Sequence, residues 1–208
     1  LSATIATENY SMTYRGSSAQ AEDYRAGDAF KPAGAVSVDK PNHRLDGDEV
    51  GSTMYKSTNQ SLDFALRHDN HLVELMLGWQ DIPYQGFPNQ RMDMTGNDSQ
   101  QANLRYKGQY DWGALEARVY HERTRHSMDF HDDKQYWYGM GKMLNVAGMP
   151  MDTEGKNTGA LVKASLVLNE RDVLRLGGEA QRSRLDDWWD PVVNSMMMSP
   201  DTFWNIND

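Results

Sequence analysis

Apolar and polar residues alternate along this chain in one segment after another. Over residues 61–67, Leu62, Phe64 and Leu66 alternate with Ser61, Asp63, Ala65 and Arg67. Over 71–80, Val73, Leu75, Leu77 and Trp79 fall on one side, and Glu74, Met76, Gly78 and Gln80 on the other. Ala102, Leu104 and Tyr106 alternate with Asn103, Arg105 and Lys107, and Leu115, Ala117 and Val119 with Glu116, Arg118 and Tyr120. Ala160, Val162, Ala164, Leu166 and Leu168 oppose Lys163 and Ser165, while Leu174, Leu176 and Ala180 oppose Arg175, Glu179 and Gln181. Successive strand residues face opposite sides, so period two predicts strands with one apolar and one polar face. A seventh segment, residues 10–15, repeats the pattern with Tyr10, Met12 and Tyr14.

The connections add a second regularity. Three are short and polar, at residues 67–71, 108–113 and 169–172, and between them lie long ones, roughly 18–48, 81–99, 128–157 and 186 to the end. Starting from residues 10–15, the strand directions then run up and down without conflict. Alternating short turns and long loops fit an antiparallel transmembrane β-barrel, with the long loops on the outside. A soluble β-sandwich would also have half-apolar strands. Against it stand the Ala, Leu and Val of the apolar faces, with Trp79, Tyr106, Tyr110 and Trp112 near their ends, and the length of the loops. Residues 132–144 show no sustained helical apolar face, so no helix is expected.

Composition narrows the function classes. A net charge of -9 leaves no basic stripe to neutralise phosphates, so no nucleic-acid partner is expected. With no Cys, neither a disulfide framework nor a thiolate metal site can form within these 208 residues. No apolar run approaches the ~20 residues of a membrane helix, which says nothing about a barrel, whose strands need only about ten alternating residues. Leu1-Ser2-Ala3-Thr4 lacks a basic and an apolar leader region, so the protein is either intracellular, or the chain is a mature form or an internal piece, and the strand pattern favours the last. There is no phosphate-binding Gly-rich loop, no nucleophile elbow and no recognisable carboxylate pair, so an enzyme is not expected.

The candidate chemistry is a pair. His126 and Met128 continue the row Glu116, Arg118, Tyr120, Glu122, Thr124 and would therefore point to the polar face near the outer end of a strand. Imidazole with thioether suits copper over Mg²⁺ or Ca²⁺. Chance placement of 6 His and 13 Met already gives roughly 0.4 His-x-Met pairs, so the motif alone is weak. Further Met residues gather in the long connections: Met92 and Met94; Met140, Met143, Met149 and Met151; Met196, Met197 and Met198. They read either as weak thioether sites for Cu(I), with Met149 and Met151 the pair left open, or as flexible apolar filling. His131, Asp132 and Asp133 form a run that could hold a metal but is expected to be solvated loop. His68 and His71 flank a short turn.

The segment Tyr84-Gln85-Gly86-Phe87-Pro88-Asn89-Gln90-Arg91-Met92-Asp93-Met94, followed by strands leading to His126-Ser127-Met128-Asp129, resembles the TonB-dependent receptors, and among them the outer-membrane copper receptors. Glu22-Asp23-Tyr24-Arg25-Ala26-Gly27-Asp28 and Gly148-Met149-Pro150-Met151 are similar too. The resemblance implies a barrel of about 22 strands with a plugged lumen. About seven strands would lie here, with residues 1–208 part of one barrel domain and the plug outside it. It also implies a bacterial outer-membrane location among lipid, copper ion as transported substrate, and a TonB-type energy-coupling protein acting through the plug. In such receptors a His-x-Met of the barrel faces a Cys and a Met of the plug, which puts His126 and Met128 at a metal site. Rival readings are uptake of a siderophore or other chelate, with His126 and Met128 incidental, and a surface adhesin or passive pore.

Overall fold

The computed structural model describes residues 1–37, 40–138 and 146–189, and among these it contains strands and no helix. The strands are β1 (Ser2–Ala6), β2 (Tyr10–Ala21), β3 (Gly34–Ala35), β4 (Arg44–Leu45), β5 (Tyr55–His68), β6 (His71–Gln85), β7 (Asp93–Tyr110), β8 (Gly113–Asp129), β9 (Trp137–Tyr138), β10 (Val146–Ala147), β11 (Met151–Val167) and β12 (Val173–Trp188). Eight of them form one antiparallel sheet in the order β1-β2-β5-β6-β7-β8-β11-β12. The short β3 and β4 pair with each other, as do β9 and β10. The large sheet is open, with β1 and β12 as its edges.

All seven segments with period two are strands of this sheet. The eighth strand, β1, was not anticipated. Its five residues are exposed, pair with β2 alone, and are too few to establish alternation. The strands also run well past the alternating segments. The connection expected over 81–99 shrinks to 86–92, because β6 continues to Gln85 and β7 begins at Asp93. The extensions of β7 and β8 are largely polar on both sides, and that of β6 breaks alternation at Asp81-Ile82-Pro83-Tyr84, so periodicity could not mark them. They hold their place through ladder hydrogen bonds and cross-strand pairs such as Ser99 with Thr124, at 2.8 Å.

Register places the alternating residues on two distinct faces. Leu66, Val73, Tyr106 and Ala117 lie abreast on one, as do Phe64, Leu75, Leu104 and Val119. Among the described residues nothing covers this apolar face: Leu66 is 55% and Val162 51% exposed. At its lower end His71 meets Tyr110 edge-on and Tyr110 stacks on Trp112, with ring centroids 5.3 and 4.9 Å apart, and the His71 Nδ1 and Tyr106 hydroxyl are 2.7 Å apart. The opposite face is polar and internally paired. Arg105 bonds Glu116 at 3.0 Å and Glu74 at 3.4 Å, and Arg15 pairs with Asp63. A continuous exposed apolar face of this extent marks contact with lipid or a partner. A β7 of 18 residues is about 60 Å long at ~3.4 Å per residue, far more than the 9–11 residues a bilayer requires.

Charge on the apolar face is expected to be costly in a bilayer. Leu75→Arg or Val162→Arg should lower stability in lipid vesicles by ~2–4 kcal/mol. Glu116→Gln on the polar face loses a part-exposed pair and should cost under about 1 kcal/mol. Denaturant midpoints that move equally for both kinds of substitution would reverse the assignment of faces.

Candidate metal centre

The outer end of the sheet brings three methionines into one row. Met128 on β8 is directly opposite Met94 on β7 and Met151 on β11, and Gln85 of β6 lies beyond Met94. Directly opposed residues have their Cβ atoms about 4.5–5.5 Å apart on the same face. Met94 reaches the row through a bulge. Asn97 pairs with His126 and Gly96 with Ser127, so regular pairing would put Thr95 opposite Met128. The register shifts between Met94 and Gly96, and Met94 takes that place instead. The extra residue turns the Met94 side chain from the apolar to the polar face, where it is 5% exposed.

His126, two residues before Met128, shares its face. The His126 Nδ1 lies 3.3 Å from Asn97 Oδ1; the Asn97 Nδ2 donates to Gln80 Oε1 at 3.1 Å, and Gln80 Nε2 donates to Asn59 Oδ1 at 2.8 Å. This amide relay crosses four strands and holds the His126 ring by Nδ1, the kind of support that orients a metal-ligating imidazole toward a metal at Nε2. Of the other sequence candidates, Met151 joins the row, whereas Met149 is half-buried and precedes β11. Met140, Met143 and Met196 to Met198 lie outside the described residues. Among the described residues no three His, Cys, Asp or Glu side chains gather to hold a metal, so the donors available at this row are thioethers and one imidazole.

The long connections close over the outer end through buried polar groups. Asp93, one residue before Met94, is 1% exposed; its Oδ2 accepts from Ser52 Oγ at 2.8 Å and its Oδ1 from the Phe87 N–H at 2.7 Å. Lys134 reaches the same place, donating to the carbonyls of Phe87 and Gln90 at 2.7 and 2.8 Å, with its ammonium 3.6 Å from Asp93. Gly86 is required beneath it, since a Cβ there would stand 2.2 Å from the Ser52 carbonyl carbon. Lys40 donates to the carbonyls of Phe130 and His131, and Gly148 packs on the Phe130 ring.

The run His131-Asp132-Asp133 is not the solvated loop expected from the sequence. Only Asp132 is exposed. His131 stacks on Tyr84, with centroids 6.5 Å apart. The Asp133 side chain is 3% exposed, 2.5 Å from His43 Nε2, and accepts from the Ser52 N–H at 2.6 Å. Asp23 accepts the N–H groups of Thr53 and Met54 at 2.6 and 2.8 Å, and its carboxyl is hydrogen-bonded to that of Asp133. Burial pushes Asp133 above the usual carboxylate range, helped by Asp23 and opposed by His43 and Ser52. Burial acts on Asp23 in the same direction, but its hydrogen bonds from Asp133, Thr53 and Met54 prevail and hold it below its ordinary value. Of the two carboxyls, Asp133 is therefore the later to lose its proton as pH rises. These loop residues escaped sequence reading because Ser52 lies 41 and 81 positions from Asp93 and Asp133, and Asp23 lies 30 from Thr53.

No protein-family profile and no curated protein matches this chain. Among solved structures it is similar to one described as the copper transporter OprC, with a TM-score of 0.70 and 19% identity, over 98% of this chain and 28% of that one. The likeness establishes the fold. The chain spans 28% of the length of that structure's chain.

Asp93→Ala leaves the Lys134 ammonium buried beside an empty place. It should weaken the closed loops by about 3 kcal/mol, read as faster amide exchange at Phe87 and Ser52. The acidic pair gives a pH signature. Asp133, raised in the folded chain, contributes stability fully below the ordinary carboxylate value of about 4, and this is lost as pH rises through its folded value. Asp23, depressed, contributes above about 4 and loses its share as pH falls through its own lower value. Protection of the Ser52 amide, corrected for intrinsic exchange, should fall as pH climbs out of the acid range. Asp133→Asn should abolish that fall, and a pH-independent Ser52 in the unaltered chain would contradict the upward shift of Asp133.

Proposed function

We propose that this chain forms part of a TonB-dependent receptor barrel in the bacterial outer membrane, and that the receptor takes up copper. The observation that carries the reading is the row Met94, Met128 and Met151 beside His126, on the polar face and under the closed loops. Thioether sulfur and imidazole nitrogen are soft to borderline donors that select Cu(I) over hard cations. The outward apolar face fits lipid contact, and the polar face fits a lumen. The likeness to a structure described as a copper transporter points the same way. A TonB-type protein would act through a plug, and the row here would be the barrel half of the metal site. In this reading Met94 and Met151 join His126 and Met128 as ligands exchanging Cu(I), and Met149 lies one step outward along the same path.

Uptake of a siderophore or other chelate is separated from copper uptake by the metal itself. In the complete receptor, His126→Ala with Met128→Ala should remove most of the copper retained after loading and desalting, and zinc should be retained less than copper by the unaltered protein. Asn97→Leu, which breaks the relay holding the His126 ring, should weaken copper binding about 10–100-fold with the ligands intact. Equal copper in the double variant and the unaltered receptor would sink the copper reading and leave the barrel untouched.

A further inference from the structure

On the outward face of β8, β11 and β12, the three rows directly above the apolar residues carry five Lys and Arg side chains. In the lowest row His121, Thr158 and Arg182 are abreast, immediately above Val119, Ala160 and Ala180. The next holds Arg123, Lys156 and Arg184 side by side, and the third holds Arg125, Glu154 and Asp186. Like charges directly opposite one another in a sheet are destabilising, and here three are in register with no carboxylate in their own row.

Among the described residues the cations of these rows outnumber their carboxylates. Glu154 serves Arg123 at 2.5 Å, Lys156 at 3.0 Å and Arg125 at 3.9 Å, and Asp186 serves Arg184 at 3.0 Å. Across the three rows five Lys and Arg side chains meet two carboxylates, with Asp98 of β7 beside Arg125 as a third. Arg182 has no carboxylate partner among the described residues. Arg125 and Arg184 remain 65% and 55% exposed, on a chain whose net charge is -9. Directly below, the small Ala102, Ala160 and Ala180 leave an open apolar hollow of about 630 Å³, walled by Leu75, Leu104 and Val119 and capped by His121 and Arg182.

A ligand that fits both parts has an anionic head and an apolar tail. We propose that this face binds an anionic lipid, with its phosphate among Arg123, Lys156, Arg182 and Arg184 and an acyl chain in the hollow beneath. The proposal rests on the membrane reading given above. The hollow continues the apolar face into the cationic rows, which argues for a lipid over a free phosphate. The His121 Nδ1 is held 2.7 Å from Thr158 Oγ1, which leaves its Nε2 for the headgroup.

The test uses the complete receptor reconstituted in phosphatidylcholine vesicles containing a minor fraction of spin-labelled phosphatidic acid. The unaltered receptor should immobilise the labelled lipid, and spin-labelled phosphatidylcholine should remain mobile beside it. Lys156→Gln with Arg182→Gln and Arg184→Gln should lower the affinity about tenfold or more. Ala160→Leu with Ala180→Leu, which fills the hollow without touching charge, should do the same, and keeps the proposal open to refutation should the triple variant misfold. Equal immobilisation in both variants and the unaltered receptor would overturn it, as would release of the label by inorganic phosphate at matched concentration. Copper retention in the same samples should be unchanged, and failure of the unaltered receptor to enter vesicles would instead strike the membrane reading.

Discussion

The outer end of this molecule depends on one buried carboxylate. Asp93 ends the connection 86–92, begins β7, and binds Ser52, the Phe87 N–H and Lys134 from three separate stretches of chain. A carboxylate taken out of water is tolerated only when its lone pairs are met and a cation is near. Meeting those demands fixes where the loops lie. The next residue is Met94, and the bulge that follows turns it toward Met128. The anchoring of the loops and the composition of the thioether row are therefore parts of one local arrangement.

The stretches quoted for the family resemblance gain a physical meaning here. Residues 84–94 contain Gly86, Phe87 and Asp93, all at the closure. Residues 22–28 contain Asp23, which pins Thr53 and Met54, and Arg25, which pairs with Asp46 and Asp48 at 2.9 Å. Residues 148–151 contribute Gly148 against Phe130 and Met151 to the row. These segments, distant along the chain, meet at the outer end of the sheet.

Period two was legible wherever one face is apolar, and seven of the eight sheet strands could be read on that basis. It fell silent above residues such as Val119 and Ala102, where both faces are polar and alternation carries no signal. The placement of His126 and Met128 on one face followed from their spacing. Met94 did not, since even-numbered β7 residues below the bulge, such as Ala102 and Leu104, face outward, and only the extra residue reverses Met94. Nor could the relay through Asn97, Gln80 and Asn59 be foreseen, because it requires the register of four strands at once. The buried loop carboxylates lie further still from local pattern, their partners being set by tertiary closure alone.

The polar strand extensions also determine reach. From Val119, the last apolar residue of its row, β8 runs to Asp129 before the loops close. Ten residues at ~3.4 Å, tilted about 45°, raise that closure roughly 25 Å above the apolar band. In a membrane the loops would stand on a rigid collar, clear of the headgroup layer, where bulky visitors from the medium, such as antibodies, meet them before they meet lipid.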